Sequence, residues 1–263
     1  MDQAVLESKK HVEVEEVLDH IQALVAAQAG RLKDADRLSR RSVDLAQAAG
    51  AKERAATWIA SQAVWNAFYG NTAEARQRAE MALSMATSRD LKYAAAFALA
   101  LANEFMRSQA LAGDLEKAYP EDTAVQFGYL PALRGLASIG GKDPQKAIDL
   151  LQANSAYELG VPPLDFNTYF GGLYPVYVRG LAYLAINQGV RAAAEFQKIL
   201  DHRGLTVGDP VRAMAVLQLG RSYVQAGDTA KAKAAYQQFL NHWKDADPGV
   251  PALKQARAEL AKL

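Results

Sequence analysis

Three stretches of the chain share one frame: LPALRGLASIGGKDPQKAIDLL (130–151), YPVYVRGLAYLAINQGVRAAAEFQKIL (174–200) and AVLQLGRSYVQAGDTAKAKAAYQQFL (215–240). In each, a first helical run carries a glycine at a fixed place, Gly135, Gly180 or Gly220. A turn follows, at 141–143, at Gly189 or at Gly227-Asp228. A second run then carries Ala147, Ala192 or Ala232, with Leu151, Phe196 or Tyr236 four residues later. The earlier chain fits more loosely. GRLKDA (30–35) and GNTAEA (70–75) place an alanine five residues after a turn glycine, and Asn103-Glu104 stands where a third turn glycine belongs. Asparagine tolerates the left-handed conformation such a turn needs. Two antiparallel helices approach closely only where side chains are small, so the glycines and alanines mark contact points. The large residues Tyr183, Phe196, Tyr223 and Tyr236 fill the gaps between pairs. One pair cannot bury its apolar face alone, so the pairs must stack.

The frame predicts an all-α fold of six helix pairs in a single unit over 1–263, less regular over 11–120 and clearer over 121–245. A capping helix at about 249–262 closes it. Alanine-rich runs favour helix, and the clustered β-branched and aromatic residues of strands are nearly absent. Half of the 263 residues are apolar, enough for a packed core. The formal net charge is +1, which gives no argument for a polyanionic partner. There are no cysteines, so thiolate catalysis, disulfides and cysteine metal sites are excluded. MDQAVLESKKHVEVEE has no signal-peptide core, and no stretch approaches a membrane span. The expectation is a soluble, cytoplasmic chain without a membrane segment.

The frame resembles the tetratricopeptide repeat. The last unit carries the resemblance best, in Val216, Leu219, Gly220, Tyr223, Ala232 and Tyr236, and Pro120 holds the proline position of the third unit. Ile199 and Phe239 depart from it, standing where the family has a small residue. The resemblance implies a right-handed superhelical solenoid. From PEDTAVQFGYLPALRG through YELGVPP, GGLYPVYVRG and AAEFQKILDHRG to WKDADP, the chain is similar to the repeat region that follows serine/threonine kinase domains and winged-helix regulators in bacteria of the acidobacterial type. This implies a regulatory or sensor module of a signalling protein, with a kinase or DNA-binding domain elsewhere in a parent chain. The glycine-rich loop, HRD and DFG of a kinase are absent here, so phosphoryl transfer does not carry over.

By the family pattern, the first helix of each pair lines the concave face. Tyr129, Tyr174, Tyr177, Arg221 and Gln225 then stand on its wall, with Leu181, Leu184, Ile139 and Val224 beside them. Tyrosine and arginine are frequent binding anchors. The connection YELGVPPLDFNTYFGG (157–172) is long, and its Phe166, Tyr169 and Phe170 are candidates either for a lid over the groove or for packing that tucks an insertion away. Pro131 and Pro175 fit first helical turns.

No catalytic constellation stands out. His11, His20, His202 and His242 form no metal-binding spacing. Asp201-His202-Arg203-Gly204 reads as a helix end capped by Gly204, and Glu15-Glu16 as a solvated pair. RLKDADRLSRRS (31–42) interleaves acids with its arginines, which favours a solvated helix face over a nucleic-acid contact. The expectation is a non-enzymatic module without metal or cofactor that binds a protein or peptide through its concave face. A small-molecule sensor with the 157–172 loop as a lid, and a homo-oligomerising scaffold, are the alternatives.

Overall fold

The computed structural model describes residues 12–160 and 171–263. Among them it is all-helical, with no strand and thirteen α-helices in chain order. These are α1 (Val12–Gln28), α2 (Leu32–Ala48), α3 (Lys52–Phe68), α4 (Thr72–Met85), α5 (Arg89–Leu101) and α6 (Phe105–Ala118). They continue with α7 (Leu130–Gly140), α8 (Pro144–Ala153), α9 (Tyr174–Ala185), α10 (Gly189–Asp201), α11 (Pro210–Gln225), α12 (Thr229–His242) and α13 (Pro251–Leu260). A π-helical turn, Val125–Tyr129, leads into α7. Pro131 and Pro175 sit in first turns, where no backbone donor is lost.

α3, α5, α7, α9 and α11 are the inner helices. Every residue of α3 from Ala55 to Phe68 is buried. By contrast, α2 buries only the stripe Leu32, Ala35, Ser39, Ser42, Val43 and Ala46, as expected of a helix with one face in water. Each helix packs on the next, and α3, α5, α7, α9 and α11 also pack on one another in order. The frame glycines are points of close contact as expected, but Phe196 and Tyr236, expected between pairs, stand against the glycine of their own pair. A Cβ on Gly135 would lie 3.0 Å from Leu151, one on Gly180 2.6 Å from the Phe196 ring, and one on Gly220 3.1 Å from the Tyr236 ring.

The turns inside the six pairs are copies of one device. A left-handed residue stands at Gly30, Gly70, Asn103, Lys142, Asn187 and Gly227. The next residue then donates its N–H to a carbonyl five residues back, as in Asn71 to Asn66 and Asp143 to Ser138, which satisfies the end of the inner helix. Asn103 adopts the conformation read for it. In the fourth and fifth units the left-handed residue is Lys142 (φ 63°) and Asn187 (φ 57°), not Gly141 or Gly189. Gly189 serves another purpose, since a Cβ there would meet the Ser222 carbonyl oxygen at 2.5 Å. Lys142 is exposed, and its left-handed backbone costs a side-chain-bearing residue about 1–2 kcal/mol. Lys142→Gly is therefore expected to raise stability by about 0.5–1 kcal/mol after the entropy of glycine is deducted. Urea denaturation checks this, and an unchanged or lower midpoint would count against it.

The first described helices meet the last ones. α11 packs against α1 and α3 as well as its neighbours. Asp247 N–H donates to the Gly30 carbonyl at 3.0 Å, Ala252 N–H to the Tyr69 carbonyl at 3.1 Å, and Trp243 Nε1 to the Gln28 carbonyl at 2.9 Å. α13 stands where the capping helix was expected, and it buries Ala252, Leu253 and Ala256.

Candidate functional site

Closing the ends on each other fills the inside. Tyr174 and Tyr177, expected on a groove wall, are 0% and 3% exposed, and Tyr129 is 3% exposed. Phe68 of α3 meets both Tyr174 and Tyr177 edge-on at 5.3 Å, and Phe97 lies 4.3 Å from Tyr174. Tyr93 stacks on Tyr129 at 3.8 Å. The inner helices touch across the space a groove would occupy, and these tyrosines are the contact. Arg221 and Gln225 lie elsewhere, on an open groove of about 640 Å³ with Ile139, Leu181, Leu184 and Val224. Arg221 is committed there to Glu259 of α13, at 2.9 and 2.8 Å, and the Gln225 amide donates to the Leu184 carbonyl. The five candidates thus divide between an aromatic core and a separate surface. Phe166, Tyr169 and Phe170 lie outside the described residues, as does His11.

A second pocket, of about 440 Å³, sits beside that core. Its walls come from the N-terminal part of α5, the segment 122–129, residues 156–160 and the start of α9. Both Gly160 and Gly171 line it. The inner wall is the stacked Tyr93–Tyr129 pair with Leu173 and Pro175. The rim is a second stacked pair, Phe127 on Tyr157 at 4.1 Å, of which 36% and 47% is exposed. Phe127 and Gly128 belong to the π-helical turn, a distortion that is frequent at functional sites.

Two anchors hold the pocket. On one side Glu158 is buried against Arg179, whose guanidinium bridges it at 2.8 Å and Glu195 at 2.5 Å, with Lys198 on its other oxygen. Burial alone would raise the Glu158 pKa, but the two cations outweigh it and hold it low. On the other side Asp209 caps α11, accepting from Val211 N–H at 2.8 Å. It also accepts from Gly171 N–H at 3.1 Å and from the Tyr174 hydroxyl at 3.2 Å. Burial pushes the Asp209 carboxyl up to about 7 against these three donors. On the pocket wall, burial would raise Asp122, but the Val125 N–H and Arg89 bring it below its usual range. Arg89 also binds Asp90, which accepts from the Tyr129 hydroxyl. Glu158, Asp122 and Asp90 are therefore tied to cations and Asp209 to neutral donors, and the free surface of the pocket is aromatic.

Other candidates resolve structurally. Arg37, Arg40 and Arg41 each reach a carboxylate from an exposed position. Glu16 is not solvated. It is fully buried, with both oxygens on Arg54 at 2.7 and 2.8 Å and Trp58 Nε1 at 2.7 Å, because this face of α1 packs on α3. Gly204 is not the left-handed cap of α10, and the His202 ring instead meets the Lys198 carbonyl at 2.8 Å. Among the described residues no group of His, Asp and Glu could hold a metal ion, and no helix is long and apolar enough to cross a membrane. No protein-family model matches the sequence, and no curated protein matches it significantly.

Sequence reasoning missed Phe127 and Tyr157, since an aromatic on a turn has no periodic signature. Asp209 had one signal, an aspartate directly before Pro210, which marks an N-cap and a first-turn proline.

Proposed function

We propose that this chain is a non-enzymatic helical-repeat module of the tetratricopeptide type, a right-handed superhelix of six pairs, that takes a small aromatic ligand in the 440 Å³ pocket. One observation carries the reading. The tyrosines expected to bind are spent on packing, whereas Phe127 and Tyr157 stand exposed and stacked at the mouth of a pocket of ligand size. A sensor role in a signalling protein, with a kinase or DNA-binding domain as its partner in a parent chain, follows from the resemblance alone.

Indole is a suitable probe, being flat, neutral and small. A dissociation constant near or below about 1 mM is expected by NMR titration. Tyr157→Ala combined with Phe127→Ala should weaken it about tenfold, since each aromatic contact contributes about 0.5–1.5 kcal/mol beyond its buried area. Both residues are partly exposed, so the fold should survive. Binding unaffected by the double change would remove the pocket from consideration.

A second reading keeps the peptide partner. The open groove of Ile139, Leu181, Leu184 and Val224 has the apolar character of a helix-binding surface. It takes precedence if the pocket proves empty of affinity.

A further inference from the structure

A third cavity, of about 460 Å³, lies at the seam between the chain ends, where α10, α11 and α12 meet Gln28 of α1. Its chemistry is the reverse of the first. Arg203, Arg212 and His242 line it, with the Gln238 amide between Leu200, Val216 and Phe239. Most arginines of this protein lie within 4.0 Å of a carboxylate, as Arg41, Arg76, Arg134 and Arg221 do. Arg203 and Arg212 have no carboxylate within that distance among the described residues, and they share one pocket. Asp201 is the carboxylate on the wall, and the Gln197 amide holds its Oδ1 at 2.8 Å. The His242 imidazole sits below its ordinary range, through burial first and then the nearby Arg212 charge. Two guanidinium groups thus face a shared space with Asp201 as the one carboxylate lining it, itself held by the Gln197 amide, and an added anion would offset the remaining positive charge.

We infer that this cavity is a binding site for a small organic oxyanion, a phosphate monoester with an apolar body. Arg212 and Arg203 would supply charge-assisted donors to the phosphate, with His242 and Gln238 beside them. Leu200, Val216 and Phe239 would cover the apolar part. The site is separate from the aromatic pocket and stands or falls independently of it.

Phenyl phosphate is the probe, titrated by calorimetry at low, fixed ionic strength, with benzyl alcohol as its neutral counterpart. The parent should bind phenyl phosphate and not benzyl alcohol. Arg212→Gln should weaken binding about tenfold or more, and Arg203→Gln should act in the same direction. Asp201→Asn should tighten it several-fold by removing the opposing charge. All three side chains are surface-accessible, and circular dichroism verifies that each variant is folded. Three outcomes would overturn the inference: no binding at about 10 mM phenyl phosphate, equal binding of benzyl alcohol, or indifference to both Arg212→Gln and Asp201→Asn.

Discussion

Gly172→Ala is expected to lower the stability of the fold by about 3 kcal/mol or more. A Cβ at this position would fall inside the van der Waals envelope of the Leu205 carbonyl oxygen. The obstacle is backbone, so no rotamer change clears it. The neighbouring residues leave little room to adjust. Gly171 has φ +100° and donates its N–H to Asp209, while Leu173 is itself left-handed at φ 62° and buried. The start of α9 is thereby locked onto the 203–209 segment. Gly204→Ala is the matched control, because nothing lies within 4 Å of its added carbon. It should change stability by less than about 0.5 kcal/mol. Urea denaturation of both variants checks the contrast. A cost below about 1 kcal/mol for Gly172→Ala would mean that the backbone at Leu205 yields readily.

The second large effect is concealed in the parent protein. His20 is fully buried, stacked on Trp58 at 4.0 Å, with neither ring nitrogen hydrogen-bonded, and burial lowers its pKa to about 3. The unfolded chain therefore binds a proton between about pH 6.5 and 3 that the folded chain refuses. Stability from this source is complete above about pH 6.5 and falls with acid by about 1.4 kcal/mol per pH unit. Asp209 works in the opposite sense. Its carboxyl, raised from 3.8 to about 7, holds a proton in the fold that the unfolded chain has lost. Its contribution is complete below about pH 3.8 and fades as pH rises to about 7. Over the shared window the two slopes offset. Removing one should expose the other. His20→Phe should gain stability relative to the parent as pH falls from 6 to 4, by about 2–3 kcal/mol in total. Asp209→Asn should lose stability relative to the parent over the same interval. Denaturation midpoints at several pH values give both differences. If neither difference changes with pH, both groups titrate near their ordinary values.

The architecture was legible where small residues repeat. Gly135, Gly180 and Gly220 were readable as points of close helix contact, whereas Phe196 and Tyr236, expected in the gaps between pairs, prove to be the rings that Gly180 and Gly220 meet within their own pair. The turns were legible as places, but not always as residues. The backbone requires a left-handed conformation at one position, and Lys142 or Asn187 can accept it at modest cost. Burial across the middle could not be read at all. Glu16 looked solvated as one of a charged pair, and Tyr174 looked accessible because a repeat pattern describes each pair against its neighbours. Glu16 is buried by the first helix of the adjacent pair, α3, and Tyr174 by a contact between helices far apart in the chain, α9 with α3. The aromatic pocket was legible only as an unusually long connection between α8 and α9. Its stacked rim depends on Phe127 and Tyr157 meeting in space from thirty residues apart.

The bonds from Asp247 to Gly30 and from Ala252 to Tyr69 change how the molecule should come apart. In an open array of repeats, each unit leans only on its neighbours, and the ends can fray while the middle stands. Here the last helices shelter the first described ones, and neither group is an independent place to begin unfolding. A pair could not be deleted to give a shorter version of the same object, since the remaining ends would no longer meet. The contacts at the seam are therefore expected to couple the unfolding of the first described helices to that of the last.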